Sequence, residues 1–541
     1  MNAPALDFRF GIDRLVANEG RVFGWGWAAG GNSPIADMAL LVRLGETMTR
    51  LVATHGLDRP DVAEAFPGLA GARTSGFTVT GFVARAADSV FELEIRFRDG
   101  TSTAVSALPT MQEEDRRPRP TWPGRLRAVM RRLLAGDFKG LHERVRDQTS
   151  SPPLIDPAGL RRALGRAKGS RYVVIFDHDM GGGANTYRRE QIAQLHADGA
   201  TTILVTCHMS TLDYRVRIQA ADADGDVFRA AHLLDVEPLF DAVAGIDVIV
   251  NSPVSFDDPL LLAEWLGRMR RDGRIRELIV TAHDHFAICP SFVLLDADGH
   301  FCNVPDVEIC ARCLPRHRAP HMNLSPRTPI PQWRVSWLRC LQAADEIRCF
   351  SQATQLLLQK AFPTLDPARL TVRPHQLVPG GLRTPARPVD RDAVIGIVGH
   401  INDYKGAQIV AEMVTTAEAA AAPVRFVVFG TLEAAIRSPR LVVTGSYQRE
   451  TLPALIERHG ANVFAFTSIC PETFSYVVEE LMTMRVPVVS FALGAQGEKV
   501  ARYSQGRLCH VMNGKAMLDA ALALHVDCVG TSTPATATEL Q

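Results

Sequence analysis

The sequence lacks long apolar runs, an excess charge of either sign and a recognisable export signal. None of its segments approaches the roughly 18 consecutive apolar residues that a membrane-spanning helix needs. The start MNAPALDFRF has neither the basic nor the apolar region of a signal peptide. The chain has 59 basic residues (Lys and Arg) and 59 acidic residues (Asp and Glu), so no net charge attracts nucleic acid or an anionic membrane. We therefore expect a cytoplasmic protein that binds no nucleic acid and whose attraction to a membrane, if any, is local.

Cysteine is also scarce, with ten residues among 541, which excludes a disulfide scaffold and suits a reducing compartment. Apolar residues make up 46% and charged residues 22%, as in ordinary globular proteins, so extensive disorder is disfavoured. At roughly 100 to 200 residues per domain, this length predicts three or four folding units.

The first predicted unit spans residues 1–112. Its short alternating segments, such as RVFGWGWA at 21–28, are separated by Gly, Asn and Asp and show little helical periodicity. This pattern predicts a small antiparallel β domain resembling a β-sandwich, with docking as its expected role. Trp25 and Trp27 share one strand face, where they either stack on a sugar or, as is commoner, pack in the core.

Residues 113–165 are predicted to be a basic helical linker. Between 116 and 146 the chain has ten Lys or Arg residues and two acidic ones, with apolar residues at helical spacing between them. A basic amphipathic helix of this kind can bind an anionic membrane surface, here the inner membrane face, through charge and apolar contact. A solvated linker helix packed on a neighbouring domain is the equal alternative.

Two α/β units are expected next, at residues 166–385 and 386–530, before a flexible tail at 531–541. Apolar runs such as RYVVIF at 171–176 and VIGIV at 394–398 alternate with helical stretches. Such alternation predicts buried parallel strands in Rossmann-like units. Two units in tandem leave a cleft, and ligands of open α/β sheets bind beyond the carboxyl ends of the strands. We therefore expect the functional site in that cleft.

Each α/β unit has a glycine turn after its first strand. Gly181–Gly183 lead into a helix, so the backbone and the helix N-terminus can approach an anion closely. In the second unit Lys405 and Gly406 stand at the equivalent place, where an ammonium can neutralise a diphosphate. An ordinary strand-to-helix turn and a solvated lysine are the alternatives.

The segment CPETFSYVVEELMTMRVP at 470–487 is the most informative. Glu472 lies at a strand end and Glu480 eight residues later on the following helix, so both carboxylates can face the cleft. There they can accept hydrogen bonds from sugar and ribose hydroxyls. Backbone N–H groups of Thr473, Phe474 and Ser475 can hold a phosphate between them. Helix capping by Glu472 is the alternative.

This order of motifs resembles the GT-B glycosyltransferases of family 4, which are retaining nucleotide-sugar transferases. The resemblance covers roughly residues 170–530 and is most specific at Glu472, Glu480 and the residues 486–488 that follow. It implies an α/β GT-B fold, in which an acceptor-side unit at 166–385 faces a donor-binding unit at 386–530 after the antiparallel β domain. It also implies that no catalytic metal is needed.

The resemblance implies roles for individual residues. Glu472 contacts the donor sugar, and His283, in the sequence TAHD at 281–284, lies beside the reacting sugar. Lys405 binds the diphosphate and Glu480 the ribose. The other donor-binding positions that it implies are Gly182, Gly183, His400, Thr473, Phe474 and Ser475.

The chain departs from the family pattern in three places, one of which is the later Gly-Gly-x-x-Glu, here GAQGE at 494–498. The arginine that family members often have five residues before the lysine is His400, and the usual Glu-Gly-Phe-Gly reads ETFS at 472–475. The expected reaction is transfer of a sugar from a nucleotide-diphosphate sugar to a glycan or lipid-linked glycan, with retention of configuration. The alternatives are a protein-modifying glycosyltransferase, a non-catalytic glycan-binding or scaffold protein with this fold, and, less favoured by the Glu472–Glu480 pattern, a sugar-nucleotide epimerase.

Four cysteines fall close together in an expected insertion at about 283–330. They can supply the four thiolates of a structural zinc site, with free thiols or a transient disulfide as alternatives. The four are Cys289, Cys302, Cys310 and Cys313.

Overall fold

The computed structural model describes residues 8–18, 21–30, 33–57, 59–83, 89–107, 152–167, 169–179, 181–208, 213–221, 225–256, 258–317, 329–375, 382–387 and 392–531. The helix expected at 116–146 and nearly all of the tail expected at 531–541 lie outside these ranges. No helix in the described part combines the length and the apolar character needed to span a bilayer.

The amino-terminal unit consists of two four-stranded antiparallel sheets, with strand orders β1-β2-β6-β5 and β4-β3-β7-β8. A short helix α1 (Pro60–Ala65) and a 3-10 turn at Ala72–Thr74 lie between β5 and β6. The strands are β1 (Phe8–Asn18), β2 (Arg21–Gly30), β3 (Ile35–Leu44), β4 (Thr47–Val52), β5 (Thr54–Leu57), β6 (Gly76–Phe82), β7 (Val90–Phe97) and β8 (Ser102–Ala107).

One face of each sheet covers a shared core. In β7 every second residue, from Phe91 to Phe97, is buried, while the residues between them are more exposed. This alternation is what a sheet with one covered face requires, and the expected antiparallel β domain is confirmed. Trp25 and Trp27 are half-buried and lie 5.3 Å, between ring centroids, from Phe23 and Phe66 respectively.

The first α/β unit is built on an eight-stranded sheet of order β12-β11-β10-β9-β13-β14-β15-β16. Its strands are β9 (Arg171–Asp177), β10 (Ala200–His208), β11 (Asp213–Gln219), β12 (Asp226–Ala230), β13 (Ile246–Ser252), β14 (Ile275–Thr281), β15 (Glu346–Cys349) and β16 (Leu370–Val372). Its helices are α2 (Pro157–Ala167), α3 (Gly182–Ala197), α4 (Pro238–Ala242), α5 (Pro259–Arg271), α6 (Val307–Cys313), α7 (Ile330–Ala343) and α8 (Gln352–Ala361). The 3-10 turns are Leu233–Val236, Leu314–Arg316 and Pro367–Arg369.

The six neighbouring strands β10, β9, β13, β14, β15 and β16 pair in parallel. Beside β10, the strands β11 and β12 form an antiparallel edge. The central strands β9 and β13 are apolar over most of their length and buried because helices cover both faces of the sheet. Side-chain caps begin two of the helices, α5 at Asp258 and α8 at Ser351. Asp258, for example, accepts a hydrogen bond from the Leu261 N–H at 2.9 Å and so caps α5.

The second α/β unit has a six-stranded, wholly parallel sheet of order β19-β18-β17-β20-β21-β22. Its strands are β17 (Ala393–Ile401), β18 (Val424–Leu432), β19 (Leu441–Val443), β20 (Val463–Phe466), β21 (Val488–Phe491) and β22 (Gly506–Cys509). Its helices are α9 (Ala407–Ala419), α10 (Leu452–His459), α11 (Tyr476–Thr483), α12 (Gly494–Ala501) and α13 (Gly514–Thr531), with a 3-10 turn at Arg449–Thr451.

Both sheets reverse their strand order at their first strand. In the first unit β9 lies between β10 and β13, and in the second β17 lies between β18 and β20. Such a reversal opens a crevice beyond the carboxyl ends of the strands, because the helices on either side diverge there. The loops after β9 and β17 therefore mark the place to look for a ligand site.

Candidate functional site

The turn after β9 is shaped by glycines and fixed by Asn185. Gly181 and Gly182 have φ angles of 86° and 82°, which glycine adopts without strain. Asn185 accepts a hydrogen bond from the Gly181 N–H and donates one to the His178 carbonyl at 2.9 Å. A Cβ added at Gly183 would lie 2.8 Å from the Tyr476 ring, so this glycine allows the second unit to approach the turn.

The equivalent turn after β17 carries Lys405. Asn402 accepts a hydrogen bond from the Lys405 N–H at 3.1 Å, and Gly406 has a φ angle of 86° with the Thr467 carbonyl directly beside it. The Lys405 ammonium forms an ion pair with the Glu472 carboxylate. Burial acts to lower the pKa of Lys405, but the charge of Glu472 outweighs it and the pKa is raised. The residue predicted to bind the diphosphate and the residue predicted to bind the donor sugar are thus in contact.

The second predicted carboxylate also faces inward and has a cationic partner. Glu480 lies on α11, and Arg449 Nε donates to its carboxylate at 2.7 Å. Burial raises the pKa of Glu480, while the hydrogen bond and charge of Arg449 act to lower it. Both predicted acidic residues are therefore held by a basic side chain of the same unit.

The turn between Glu472 and α11 has an unusual backbone. Ser475 is the N-cap of α11 with a φ angle of 64°, a left-handed conformation that non-glycine residues rarely adopt. The Thr473 hydroxyl donates a hydrogen bond to the His283 carbonyl at 2.8 Å, which joins this turn to the first unit. Lys499 Nζ pairs with Glu479 and lies 3.4 Å from the centroid of the Phe474 ring. The turn is thus held from both units.

His283 is partly buried and packs against three rings. Its ring centroid lies 4.8 Å from that of Tyr187, 4.6 Å from that of Phe350 and 5.4 Å from that of His375. Burial lowers the pKa of His283 well below its usual value, and the charges of neighbouring histidines add to this, so the ring is neutral. Its Nε2 has no hydrogen-bond partner among the described residues. A neutral imidazole here can exchange one hydrogen bond with a ligand but carries no charge.

His400 contacts other groups of its own unit. Its Nδ1 is within hydrogen-bond distance of the Thr431 hydroxyl, and its Nε2 lies 3.0 Å from the Glu433 carboxylate. The His400 side chain is 62% exposed, far more than Lys405 or Glu472. This residue stands at the end of β17, but its ring is oriented by Glu433 and Thr431.

The four clustered cysteines are near one another but do not form a metal site in the described residues. The thiols lie close enough for their charges to raise one another's pKa, and burial raises that of Cys289 to about 12. Cys310 accepts from Arg334 at 3.4 Å. Among the residues that the structure describes, no three His, Cys, Asp or Glu side chains are arranged to hold a metal ion. The arrangement of the thiols therefore gives no support to the zinc site expected from their spacing.

Sequence reasoning missed four residues that complete this region: Arg449, Lys499, His375 and Tyr476. Tyr476 directly follows the ETFS motif, so its position at the first turn of α11 was available from the sequence. Arg449 and Lys499 lie in other segments, and no spacing links them to their partners Glu480 and Glu479. His375 follows β16 in a connector whose prolines indicate only a loop.

Comparison with known proteins identifies the second unit. Residues 392–527 match the model of the family described as Glycosyl transferases group 1. Together with the two parallel-sheet units and the antiparallel β domain, this match confirms the expected glycosyltransferase class and GT-B fold. The narrower assignment to family 4 stays a prediction. The search of curated protein sequences found no match.

Several solved structures are similar to this chain at low identity. Sucrose-phosphate synthase from Thermosynechococcus elongatus is 16% identical, with 66% of this chain and 93% of that chain covered and a TM-score of 0.43. HepE from Anabaena in complex with UDP-glucose is 14% identical, with coverage of 66% and 94% and a TM-score of 0.41. The lipopolysaccharide outer core galactosyltransferase WaaB is 11% identical, with coverage of 67% and 94% and a TM-score of 0.42.

Proposed function

We propose that the protein transfers a sugar from a nucleotide-diphosphate sugar to a glycan acceptor, free or lipid-linked, with retention of anomeric configuration. One observation carries the proposal: Lys405 is in contact with Glu472 beyond the first strand of a glycosyl transferase group 1 unit. Glu480 lies on the helix that follows, and the intervening turn contacts His283 of the other unit. Groups suited to a sugar, a diphosphate and a ribose thus lie on neighbouring elements of the second unit.

Each group has a chemical task in this proposal. Glu472 accepts hydrogen bonds from hydroxyls of the donor sugar, and Glu480 accepts them from the ribose. Lys405 and the N–H groups of the turn at 473–475 stabilise the negative charge that develops on the leaving diphosphate. The bond from the anomeric carbon to the phosphate oxygen breaks, the acceptor hydroxyl oxygen bonds that carbon on the same face, and the hydroxyl proton passes to the leaving diphosphate. The neutral His283 ring can form a hydrogen bond beside the reacting carbon without adding charge.

The ion pairs give these carboxylates a defined state before a donor binds. Because each acidic residue faces a basic one, both carboxylates are held in one orientation despite burial. An incoming diphosphate competes with Glu472 for the Lys405 ammonium. Glu472 is then released to accept sugar hydroxyls, so binding of the two ends of the donor is coupled.

A donor screen tests the proposal. UDP-, GDP- and ADP-sugars are added to wild type, to Glu480→Ala and to the control Glu418→Ala. Glu418 lies on α9, where its carboxylate accepts a hydrogen bond from the Ser438 hydroxyl. A donor that raises the melting temperature of wild type and the control, but not of Glu480→Ala, supports the site. Release of a nucleoside diphosphate with a glycan acceptor then supports transfer. If no donor stabilises wild type and none is turned over, the non-catalytic glycan-binding or scaffold alternative holds.

The acceptor and the cellular setting are proposed from the sequence. We propose a cytoplasmic enzyme that contacts the inner membrane face through the basic segment 116–146 when its acceptor is lipid-linked. Sedimentation with anionic vesicles, compared between the full chain and a variant with neutral residues at 116–146, tests the contact. A protein acceptor recruited by the β domain is the alternative, which mass spectrometry of glycosylated products would reveal.

A structural zinc ion at Cys289, Cys302, Cys310 and Cys313 stays a prediction from their spacing. Elemental analysis of the purified protein tests it, and less than about half an equivalent of zinc rejects it.

A further inference from the structure

His375 contacts both α/β units at once. It follows β16 in the connector that leads to the second unit, and its side chain is buried, with 9% of its surface exposed. Its ring stacks on Tyr187 of α3 at 4.5 Å between centroids and on Phe474 of the ETFS turn at 4.4 Å. Phe350 meets the same ring edge-on at 4.0 Å. One imidazole therefore joins the helix after the glycine turn to the turn that precedes α11.

A hydrogen bond fixes the orientation of this ring. His375 Nδ1 lies 2.7 Å from the Tyr476 hydroxyl. Burial lowers the pKa of His375 to about 3, with Lys499 contributing, and burial raises the pKa of Tyr476, so both groups are neutral. A neutral imidazole accepts from the hydroxyl in one tautomer and donates Nδ1–H to it in the other, and either tautomer makes this same contact. The contact is a single directed bond between the connector and the first residue of α11.

The ETFS turn at 472–475 needs the contacts that His375 makes. Ser475 has a positive φ angle, and such a conformation persists only where the surrounding structure determines it. His375 holds the residues on both sides of Ser475, since it stacks on Phe474 and shares a hydrogen bond with the Tyr476 hydroxyl. Tyr476 in turn packs directly on Gly183. The backbone N–H groups at 474–476 are thereby held in one orientation relative to the glycine turn.

We propose that His375 is a positioning residue for the anion-binding turn: it holds Phe474 and Tyr476 so that the N-terminus of α11 is ordered against Gly183 when the donor diphosphate binds. This inference rests on the proposed function for its ligand, a nucleoside diphosphate. His375 itself acts through the turn and not by contact with the reacting atoms.

Four variants separate the ring from its hydrogen bond. His375→Phe keeps an aromatic ring but removes the hydrogen-bonding nitrogen, His375→Asn restores a hydrogen-bonding group without the ring, and Tyr476→Phe removes the hydroxyl. Each of the variants His375→Phe and Tyr476→Phe removes the same hydrogen bond, so the double variant His375→Phe/Tyr476→Phe loses no further one. The matched control is His459→Phe, whose half-buried imidazole packs edge-on against Phe429 at the far end of α10.

The first measurement is hydrogen exchange of the protein without ligand. In His375→Phe and Tyr476→Phe, we expect amides at 474–480 and 182–187 to exchange about 3- to 10-fold faster than in wild type, because one hydrogen bond is lost. Amides of α9 should be unchanged, as should all of these amides in His459→Phe. Exchange in His375→Asn should return toward the wild-type rate.

The second measurement is the affinity for UDP, GDP and ADP by calorimetry. For whichever diphosphate wild type binds, His375→Phe and Tyr476→Phe should each weaken binding about 3- to 10-fold, and the double variant no further. Three results would each overturn the proposal. They are wild-type exchange rates and affinities in His375→Phe, fully additive losses of affinity in the double variant, and exchange in His375→Asn that stays as fast as in His375→Phe. If wild type binds none of the three, the proposed function fails, while the exchange measurement still decides whether His375 orders the turn.

Discussion

Arg449 and Glu480 form an ion pair inside the second unit, with Arg449 Nε 2.7 Å from the Glu480 carboxylate. The Glu480 side chain is only 12% exposed, and Arg449 lies in the 3-10 turn Arg449–Thr451 before α10. Burial pushes the pKa of Glu480 up and Arg449 opposes that rise. The carboxylate that we assign to the ribose is therefore held by a residue from another segment.

Replacing Arg449 by alanine should lower the free energy of unfolding by about 1–3 kcal/mol, because a buried carboxylate loses its partner. In this variant burial acts on Glu480 unopposed, so its folded pKa lies further above that of the unfolded chain. The folded state then holds more protons than the unfolded state, and stability falls as pH rises through that range. Urea denaturation near pH 5 and pH 8 should show a larger loss at the higher pH.

The control for this prediction is Arg458→Ala, which removes an exposed arginine of α10. It should change stability by less than about 0.5 kcal/mol at either pH. An Arg449→Ala loss that is equal at both pH values would contradict the role of Glu480 ionisation.

Replacing Lys405 by alanine should weaken binding of the nucleoside diphosphate by about 10- to 100-fold. A charged hydrogen bond contributes roughly 1.5–3 kcal/mol, and the diphosphate loses its ammonium partner. Calorimetry measures the change. Lys515→Ala is the control, since this exposed lysine of α13 pairs with the exposed Asp519.

The double variant Lys405→Ala/Glu472→Gln separates two effects of the lysine. Removing the glutamate charge should restore stability, because the carboxylate is no longer left without a partner, but it should not restore diphosphate affinity. Binding within about twofold of wild type in Lys405→Ala would show that the ammonium does not contact the phosphates.

Much of the two sheets could be predicted because buried parallel strands are continuous apolar runs. Strands β9 and β17 stand out in this way, and the structure places both within three residues of their predicted bounds. The edge strands β11 and β12 were not found. Their alternating, half-buried residues include several arginines, and their antiparallel pairing depends on a neighbouring strand that composition does not reveal.

The site could be predicted in part because its acidic residues form one local motif. Glu472 and Glu480 are eight positions apart, so helix geometry alone places both near the same turn. Their pairing with Lys405 and Arg449 could not be predicted, since those residues come from other loops and side-chain pairing across a fold has no local signal. The contact of His283 with Tyr187, Phe350 and His375 likewise depends on how separate elements pack.

Replacing Gly183 by alanine should destabilise the contact between the units by about 1–3 kcal/mol. The added Cβ would lie 2.8 Å from the Tyr476 ring, which must shift and lose its packing. Urea denaturation measures the loss. When Tyr476→Ala has already removed the ring, adding Gly183→Ala should cost little further stability. Gly165→Ala on α2, where a Cβ meets no atom within 4 Å, should be neutral or stabilising. Equal effects of the two alanines would argue against the contact.

Asp177, at the end of β9, should make the stability of the protein depend on pH in a defined direction. Burial raises its pKa to about 7, with Arg188 and Asn251 opposing the rise. Because the folded pKa lies above the unfolded value, the folded state binds more protons, and the stability that Asp177 contributes is lost as pH rises from about 4 through 7. Asp177→Asn, which cannot ionise, should remove that part of the pH dependence in melting curves recorded across this range. Asp179→Asn changes an exposed carboxylate of the same loop and should leave the slope unchanged. A slope that persists in Asp177→Asn would show that another buried group, with Asp284 as the first candidate because burial raises its pKa to about 6, is responsible.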